Sequence, residues 1–569
     1  MNKRWIVEPA PDREKVELLS KQININEVIA TVLVQRGVEN FESAKNYFRP
    51  SPDHLHDPFL MADMQKAVDR LILALKNNQN ILIYGDYDVD GTTSVALAYG
   101  YLNKLSPNCK YYINDREEEG YGISQQGIDF AIENKVNLII SIDCGIKAMS
   151  LVQKAADNKI DFIICDHHNP GEELPPALAV LDPKRLDCNY PFKELSGCGI
   201  GYKLLQALEL QTGEKHDLES YLDLVAVSIA ADIVPLTDEN RVLCSLGIKQ
   251  LQDNPRPGLK VLRDLNDRAV ISVTNILFGI APRINAAGRI AHANHAVELL
   301  ISDTIEIAQE KSLLINQKNN ERRDFDSFIT DEALEILKNE KPGKKSTVLY
   351  KEDWHKGVIG IVASRCIEHY FRPTIILTRS NGSVTGSARS VPGFDIYNAI
   401  LQCEDLLDKF GGHTFAAGLT LSIENVSKFQ EKFETVVSGS IDDECLIPAI
   451  NIDAELPFDL ISDKFCDLLE QMEPFGPDNP GPVFVAHNVC LYGKPRLLKN
   501  SHIKFAAVQE GSHKIIETIG FGLGHHYEDL LTNPVMSLAF SVEYNEYMGV
   551  KKVQLKIKDI KFANHGIKS

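Results

Sequence analysis

Three features of the sequence predict an α/β protein: a parallel-sheet domain, a long connecting helix, a smaller α/β unit and a C-terminal β-barrel. First, short continuous apolar runs at 81–84, 138–142, 160–165 and 178–181 alternate with helix-favouring stretches. Runs of this length without polar alternation suit strands buried on both faces, with crossover helices between them. Second, three of these runs end in acids: Asp86, Asp88 and Asp90, then Asp143, then Asp166 with His167 and His168. Ligands of open parallel sheets bind beyond the carboxyl ends of the strands, so these side chains predict one shared site. Third, beyond residue 445 the pattern changes to short alternating strands.

Composition sets the outer limits. A chain of 569 residues exceeds what one core supports, so two to four domains are expected. Sixty basic against 79 acidic residues give a net charge of −19, which argues against coating nucleic acid by bulk electrostatics. A local basic groove remains compatible with that charge, as does a carboxylate-rich site that takes divalent cations. The 11 cysteines form no Cys-x-x-Cys pair, which argues against structural zinc and a disulfide framework. No apolar stretch approaches the roughly 20 residues that span a bilayer, and the first residues are polar, so a cytoplasmic protein without a membrane partner is expected.

In chain order, residues 1–50 read as a partly helical lead-in ending near Pro50. Residues 51–300 hold the apolar runs and their acids. Residues 301–342 are polar and helix-favouring, with no proline before Pro342, and read as a connector on the order of 55 Å long at about 1.5 Å per residue. Residues 343–445 read as the smaller α/β unit, with strands at 347–350 and 374–378 and a closing helix whose Val426, Phe429, Phe433 and Val436 fall at helical spacing. Residues 446–569 contain the turn-rich Pro474-Phe-Gly-Pro-Asp-Asn-Pro-Gly-Pro482, then strands at 483–485, 489–492, 503–508, 537–542 and 553–557. Five short strands in roughly a hundred residues predict a small barrel of the OB type.

The segment Ile81-Leu-Ile-Tyr-Gly-Asp-Tyr-Asp-Val-Asp-Gly91 carries the most chemistry. An isolated Asp-x-Asp is ordinarily a solvated turn. Here three acids abut a buried strand, and Gly91-Thr-Thr-Ser94 opens a helix. Repelling carboxylates at a strand end are costly unless cations neutralise them. Asp143 in Ile142-Asp-Cys-Gly145 repeats the strand–acid–glycine arrangement, and Asp166-His-His168 adds imidazole. Oxygen and neutral imidazole donors suit Mn²⁺ or Mg²⁺ better than soft metals. Asp232, in Ala230-Ala-Asp-Ile-Val-Pro235, is an acid in an apolar stretch that needs a partner, and the metal centre supplies one.

These four motifs, in this order, resemble those of the DHH phosphoesterase superfamily, and of its RecJ exonuclease family in particular. Pro282-Arg-Ile-Asn-Ala-Ala-Gly-Arg289, Gly357-Val-Ile-Gly-Ile-Val-Ala-Ser-Arg365, Gly386-Ser-Ala-Arg389 and Gly411-Gly-His-Thr-Phe-Ala-Ala-Gly418 are also similar to RecJ motifs, so the resemblance covers nearly the whole chain. It implies a DHH domain, a DHH-associated domain and an OB-fold. It also implies exonucleolytic hydrolysis of single-stranded DNA, 5′→3′, in repair and recombination, with two Mn²⁺ or Mg²⁺ ions. Asp88 and Asp90 would bind one ion each and Asp143 would bridge them, while His167 and Asp232 complete the second centre with Asp90. His168 would touch the scissile phosphate and serve the leaving group. Many superfamily members place a histidine four residues before Asp88. This chain has Tyr84 there, leaving Asp86 or water to fill the place.

By the same resemblance, Arg283, Asn285, Arg289, Ser387, Arg389 and His413 hold the backbone or the terminal phosphate of the strand. Lys551, Lys552, Lys556, Lys558 and Lys561 would track single strands on the barrel, with Phe505 and Tyr544 as stacking residues. A single-strand-binding protein and a RecQ-type helicase are the implied partners of a monomeric enzyme. Two other readings compete: a DHH phosphodiesterase of short oligonucleotides or cyclic dinucleotides, and a non-catalytic RecJ-like replication scaffold. The connecting helix and barrel argue against the first. The retained ligand residues argue against the second.

Overall fold

The structure is a computed structural model that describes residues 3–116, 118–265, 270–290, 292–340, 342–380, 382–533, 535–547 and 549–562. The chain divides into two compact units. One comprises residues 5–284, 296–309 and 450–569; the other comprises 1–4, 285–295 and 310–449.

The first unit opens with strand β1 (Arg4–Val7) and three helices, Arg13–Ile23, Glu27–Gln35 and Phe41–Phe48. Its central sheet is formed by β2 (Ile81–Gly85), β3 (Cys109–Ile113), β4 (Leu138–Ile142), β5 (Asp161–Cys165) and β6 (Ala179–Leu181). All pairs are parallel, in the order β3-β2-β4-β5-β6. The order reverses between β2 and β4, the switch point at which open α/β sheets bind ligands. The apolar runs became strands because both faces are covered. Leu82, Tyr84, Ile139, Phe162 and Ile164 pack with Ile128 and Val152 of the helices Gln125–Glu133 and Met149–Asp157. The edge strand β3 carries Lys110 and two tyrosines with only its ends buried. It lacks a continuous apolar run, which is why the sequence pattern passes over it.

The helix Ile305–Lys338 spans 34 residues, begins in the first unit and continues in the second. The second unit holds β7 (Thr347–Tyr350), β8 (Thr374–Ser380), β9 (Ser383–Arg389), β10 (Lys409–His413) and β11 (Ala416–Leu421), in the order β10-β11-β9-β8-β7. Only β7 and β8 run parallel within it. The closing helix Val426–Ser440 buries Val426, Phe429, Phe433 and Val437, with Val436 half-buried beside them.

β12 (Ala449–Ile452) returns to pair with β1. After the short β13 (Ala454–Glu455), the strands β14 (Phe484–Leu498), β15 (His502–Gln509), β16 (Ile515–Gly520), β17 (Val535–Tyr547) and β18 (Val550–Phe562) follow. They pair in the order β14-β15-β16-β18-β17, and β17 pairs back onto β14, closing a five-stranded barrel. Leu19, Ile29 and Leu33 of the N-terminal helices share one core with Phe484, Phe540 and Leu555 of the barrel. The barrel therefore borrows its cap from the opposite end of the chain. Arg241 joins this assembly to the central-sheet domain. Its guanidinium lies 3.8 Å from the Tyr47 ring centroid and donates to the carbonyls of Tyr47, Met472, Glu473 and Pro474.

Two expected stacking residues are corrected here. Phe505 is 3% exposed and belongs to the barrel core, because it occupies an inward position of β15. The Tyr544 hydroxyl donates to the Asp467 carboxylate at 2.9 Å and its ring lies under Lys551, so it braces the barrel against the helix Asp463–Gln471. Of the basic face, Lys551 meets Glu470, Lys556 meets Glu543, and Lys561 lies over Trp5.

Candidate metal centre

The acids converge because the strands that carry them end together at the switch point. Asp88 caps the helix Val89–Leu105, accepting from the Gly91 N–H at 3.0 Å, and Asp90 sits in its first turn. Negative side chains are favoured at a helix N-terminus. Gly91 lies so close to Asp86 that a Cβ would stand 2.2 Å from the Asp86 carbonyl oxygen. Asp90 is 1% exposed and receives N–H groups from Gly197 at 2.7 Å and Cys198 at 2.9 Å, and the Ser228 hydroxyl at 2.7 Å. Asp143 follows β4 with φ at 64°, a left-handed conformation that aspartate and asparagine tolerate. A Cβ on Gly197 would approach the Asp143 Cβ to 2.6 Å, so glycine is required there.

His167 gathers the acids: its Nε2 lies 3.1 Å from Asp143, 3.6 Å from Asp232 and 3.9 Å from Asp90. Potential donor atoms fall into two groups within 4.8 Å, Asp90–His167–Asp232 and Asp143–His167–His168. The two groups share His167. Asp232 reaches the site from the last residue of the helix Leu222–Asp232.

Electrostatics show what the arrangement lacks. Burial, and then the charges of Asp90 and Asp88, push the Asp143 carboxyl well above the usual carboxylate range. Burial and the same two neighbours do so for Asp232, and burial raises Asp88. Asp86 is pushed up to about 7 by burial and then by Asp88, and its Oδ2 is buried with no hydrogen-bond partner among the described residues. Burial lowers His167, which leaves its imidazole neutral and able to donate a lone pair. Crowded acids, an orphaned carboxylate oxygen and a neutral imidazole fit hard divalent cations.

Tyr84 does not stand in for the missing histidine. It is fully buried on the helix-covered face of β2, its hydroxyl accepting from the Ser124 N–H at 3.1 Å. Asp86, fully buried one position beyond β2, directs an oxygen to the Gly122 N–H at 3.3 Å.

His168 stands at the edge of the ligand cluster, held by two partners of its own. Its Nδ1 lies 2.7 Å from Asp166 Oδ1 and its Nε2 lies 3.0 Å from the Tyr121 hydroxyl. Burial alone would lower its pKa, but the hydrogen bond and charge of Asp166 carry it up to about 9. Asp166, in spite of burial, is lowered by the same histidine, and it also accepts N–H groups from Ile146, His167 and His168. Sequence reasoning noticed Asp166 without giving it this role, and it missed Tyr121, Ser228 and Asp182. Asp182 follows β6 as the other acids follow their strands, which was a readable signal. Tyr121 lies in a loop that only tertiary contact brings to His168.

The expected substrate residues fall mostly in the second unit. The Arg389 Nη1 lies 3.1 Å from the Ser387 hydroxyl, and a Cβ on Gly360 would reach both side chains at 2.9 Å. Arg289 donates to the Gly357 carbonyl at 3.1 Å. These three side chains thus surround the start of the helix Ile359–Tyr370, whose N-terminus has no side-chain cap. His413 is exposed at the end of β10, and pairing in register through Ala416 sets its strand two positions from Arg389. Asn285 is half-buried in the helix Ala281–Ile290. Arg283 belongs to the first unit and donates to the Gly279 carbonyl.

Comparison with known proteins matches three family models: the DHH family N-terminal domain over residues 80–229, the DHHA1 domain over 343–439 and the RecJ OB domain over 452–559. The chain is 37% identical over 561 residues to the single-stranded-DNA-specific exonuclease RecJ of Bacillus subtilis, covering 98% of this chain and 70% of that protein. It is 31% identical over 523 residues to the Escherichia coli protein of the same name, covering 88% and 90%. The crystal structure of Thermus thermophilus RecJ with Mn²⁺ superimposes with a TM-score of 0.83 at 26% identity, covering 98% of this chain and 80% of that one. A second structure of that protein holds Mg²⁺. Strand-end acids around a switch point, the closed C-terminal barrel and these identities lead to one conclusion: the chain belongs to the RecJ family of DHH phosphoesterases.

Proposed function

We propose that this protein is a metal-dependent exodeoxyribonuclease that hydrolyses phosphodiester bonds of single-stranded DNA from the 5′ end. The observation that carries the reading is the cluster at one end of the sheet, in which Asp86, Asp90, Asp143 and His167 are buried and Asp88 and Asp232 are half-buried. Asp88 and Asp143 on one side, and Asp90, Asp143, His167 and Asp232 on the other, would hold two Mn²⁺ or Mg²⁺ ions, with Asp86 supporting the first. When bound, such ions polarise phosphoryl oxygens and offset the charge on the attacking and leaving oxygens.

The remaining groups belong to the protein. His168, carried up to about 9, holds protons on both nitrogens at neutral pH. Its cation would act on the scissile phosphate, and the Nε2 proton, held at the Tyr121 hydroxyl, would pass to the departing oxygen once that contact gives way. Asp166 fixes the ring through Nδ1 and stabilises the cation. The backbone N–H groups of Gly197 and Cys198 hold Asp90 in one orientation. Ser387, Arg389 and Arg289, with His413, Asn285 and Arg283, take the backbone and terminal phosphate of the strand. The wider reading places the enzyme in the cytoplasm, as a monomer in repair and recombination that works with a single-strand-binding protein and a RecQ-type helicase.

Digestion of strands labelled at either end, with Mn²⁺ and with Mg²⁺, tests the proposal. Mononucleotides released first from the 5′ label are expected, with covalently closed single-stranded circles resistant. Circles cut at the linear rate would refute an exonuclease.

A further inference from the structure

Beside the loop that carries His167 and His168 lies a polar cleft of ≈ 840 Å³, whose polar lining includes Asn169, Lys184, Asn189, Tyr190, Lys193 and Glu194. Its size falls in the roughly 300–1,000 Å³ range of ligand clefts. Asn169 follows His168 directly, so one wall continues that loop. The rest of the lining comes from the segment that follows β6.

That segment is firmly built. Arg185 is 8% exposed and forks onto Asp187 at 2.9 and 2.6 Å, while its Nη1 reaches Asp63 at 2.7 Å and the Val180 carbonyl at 2.6 Å. A guanidinium committed in this way is scaffold. The buried Asp182 carboxylate accepts the Lys184 backbone N–H at 2.7 Å and fixes where that residue starts.

The two lysines are held more lightly. Lys184 Nζ lies 3.1 Å from Glu194, with the side chains 23% and 43% exposed. A pair of this kind is worth about 0–1 kcal/mol, weak enough for a phosphate to displace. Lys193 gives one N–H to the Cys188 carbonyl at 2.7 Å, and an ammonium carries three donors. Lys184 is also near enough to the metal-binding cluster for its charge to act on both Asp232 and His167. A polyanion approaching an acid-lined site on a protein of net charge −19 needs such cations.

We propose that this cleft seats the phosphodiester adjacent to the one being cleaved, with Lys184 and Lys193 pairing its non-bridging oxygens and Asn169 linking it to the loop of His167 and His168. The inference rests on the single-strand reading above. A free nucleotide, the released product, offers similar phosphate chemistry, so the test has an arm for each source.

Linear strands carrying one uncharged methylphosphonate at successive positions from the 5′ end are bound to the full-length protein, with Ca²⁺ replacing Mn²⁺ and Kd read by fluorescence anisotropy. One position is expected to weaken wild-type binding about tenfold. Lys184→Gln/Lys193→Gln should bind the unmodified strand about tenfold more weakly and be indifferent to that position, and Lys184→Arg/Lys193→Arg should restore the wild-type profile. Identical methylphosphonate profiles in wild type and the Gln variant would overturn the proposal. So would a Gln variant that loses affinity for a deoxynucleoside monophosphate while keeping the strand profile, since the cleft would then hold product. Cleavage in Mn²⁺ is scored separately: a wild type that binds strands with this profile but cuts none refutes the exonuclease assignment and leaves the cleft standing.

Discussion

The Tyr121 hydroxyl lies 3.0 Å from Nε2 of His168, opposite the Asp166 carboxylate that holds Nδ1 at 2.7 Å. The imidazole is therefore gripped at both nitrogens, on one side by a loop that supplies none of the candidate metal ligands. Tyr121→Phe keeps the ring and removes the hydroxyl. A hydrogen bond of this class is worth about 0.5–1.5 kcal/mol, so kcat should fall roughly two- to tenfold with KM unchanged. Single-turnover rates against substrate concentration measure it, and a change confined to KM would place Tyr121 in strand binding instead.

Asp143 tests the bridging role. Because its φ is 64°, alanine would add backbone strain, and asparagine is the cleaner replacement. Asp143→Asn should fold normally, as melting temperature reports, and lose hydrolysis at every Mn²⁺ concentration. Activity above about a tenth of wild type, a barrier change under ~1.4 kcal/mol, would remove Asp143 from that role.

Without metal, the site should lose stability as pH rises through neutrality. Asp86 is pushed up to about 7, chiefly by burial, and so is Asp182. The folded carboxyls keep protons that the unfolded chain releases near pH 4, so destabilisation is complete above pH 7 and fades as pH falls toward 4. Between pH 8 and 6 the chelated protein should therefore gain on the order of 1–3 kcal/mol. Mn²⁺ should flatten the Asp86 share. Calorimetry with chelator that shows a falling melting temperature over that interval would contradict the assignment.

The shared core makes the C-terminal barrel more than an accessory. A chain ending at Ala449 exposes Leu19, Ile29 and Leu33, each worth about 1.5–3 kcal/mol of burial, and strips Arg241 of its carbonyls at 472–474. That truncation should aggregate in size-exclusion chromatography and lose activity on short and long strands alike. Removing residues 1–50 together with the barrel should recover a soluble body, since the unmatched apolar helices go too. A soluble truncation ending at Ala449 that cuts short oligonucleotides at wild-type rates would show that the barrel serves only to hold DNA.

Arg389 stands beside Ser387 at an uncapped helix N-terminus, a place suited to a terminal phosphate. Arg389→Ala should cost about 1–3 kcal/mol in kcat/KM, more on 5′-phosphorylated than on 5′-hydroxyl strands. Equal losses on the two would move Arg389 to an internal phosphate.

The sequence alone determined the parallel sheet and most of the acids gathered at its end. Buried parallel strands need unbroken apolar runs, and cation-binding acids at strand ends leave a local signature of alternating Asp flanked by glycine. Asp86, Asp88, Asp90, Asp143 and His167 could therefore be read one strand at a time, and Asp232 as a lone acid in an apolar stretch. Tertiary structure decided what has no local pattern. The edge strand Cys109–Ile113 is half-solvated and polar, and Phe505 looks like a stacking residue until the pleat of its strand turns it inward. Tyr121 meets His168 across 47 positions, and the helices before residue 50 find their core more than 400 residues later. Contacts of that kind depend on which surfaces the folded chain brings together, and neither periodicity nor spacing records them.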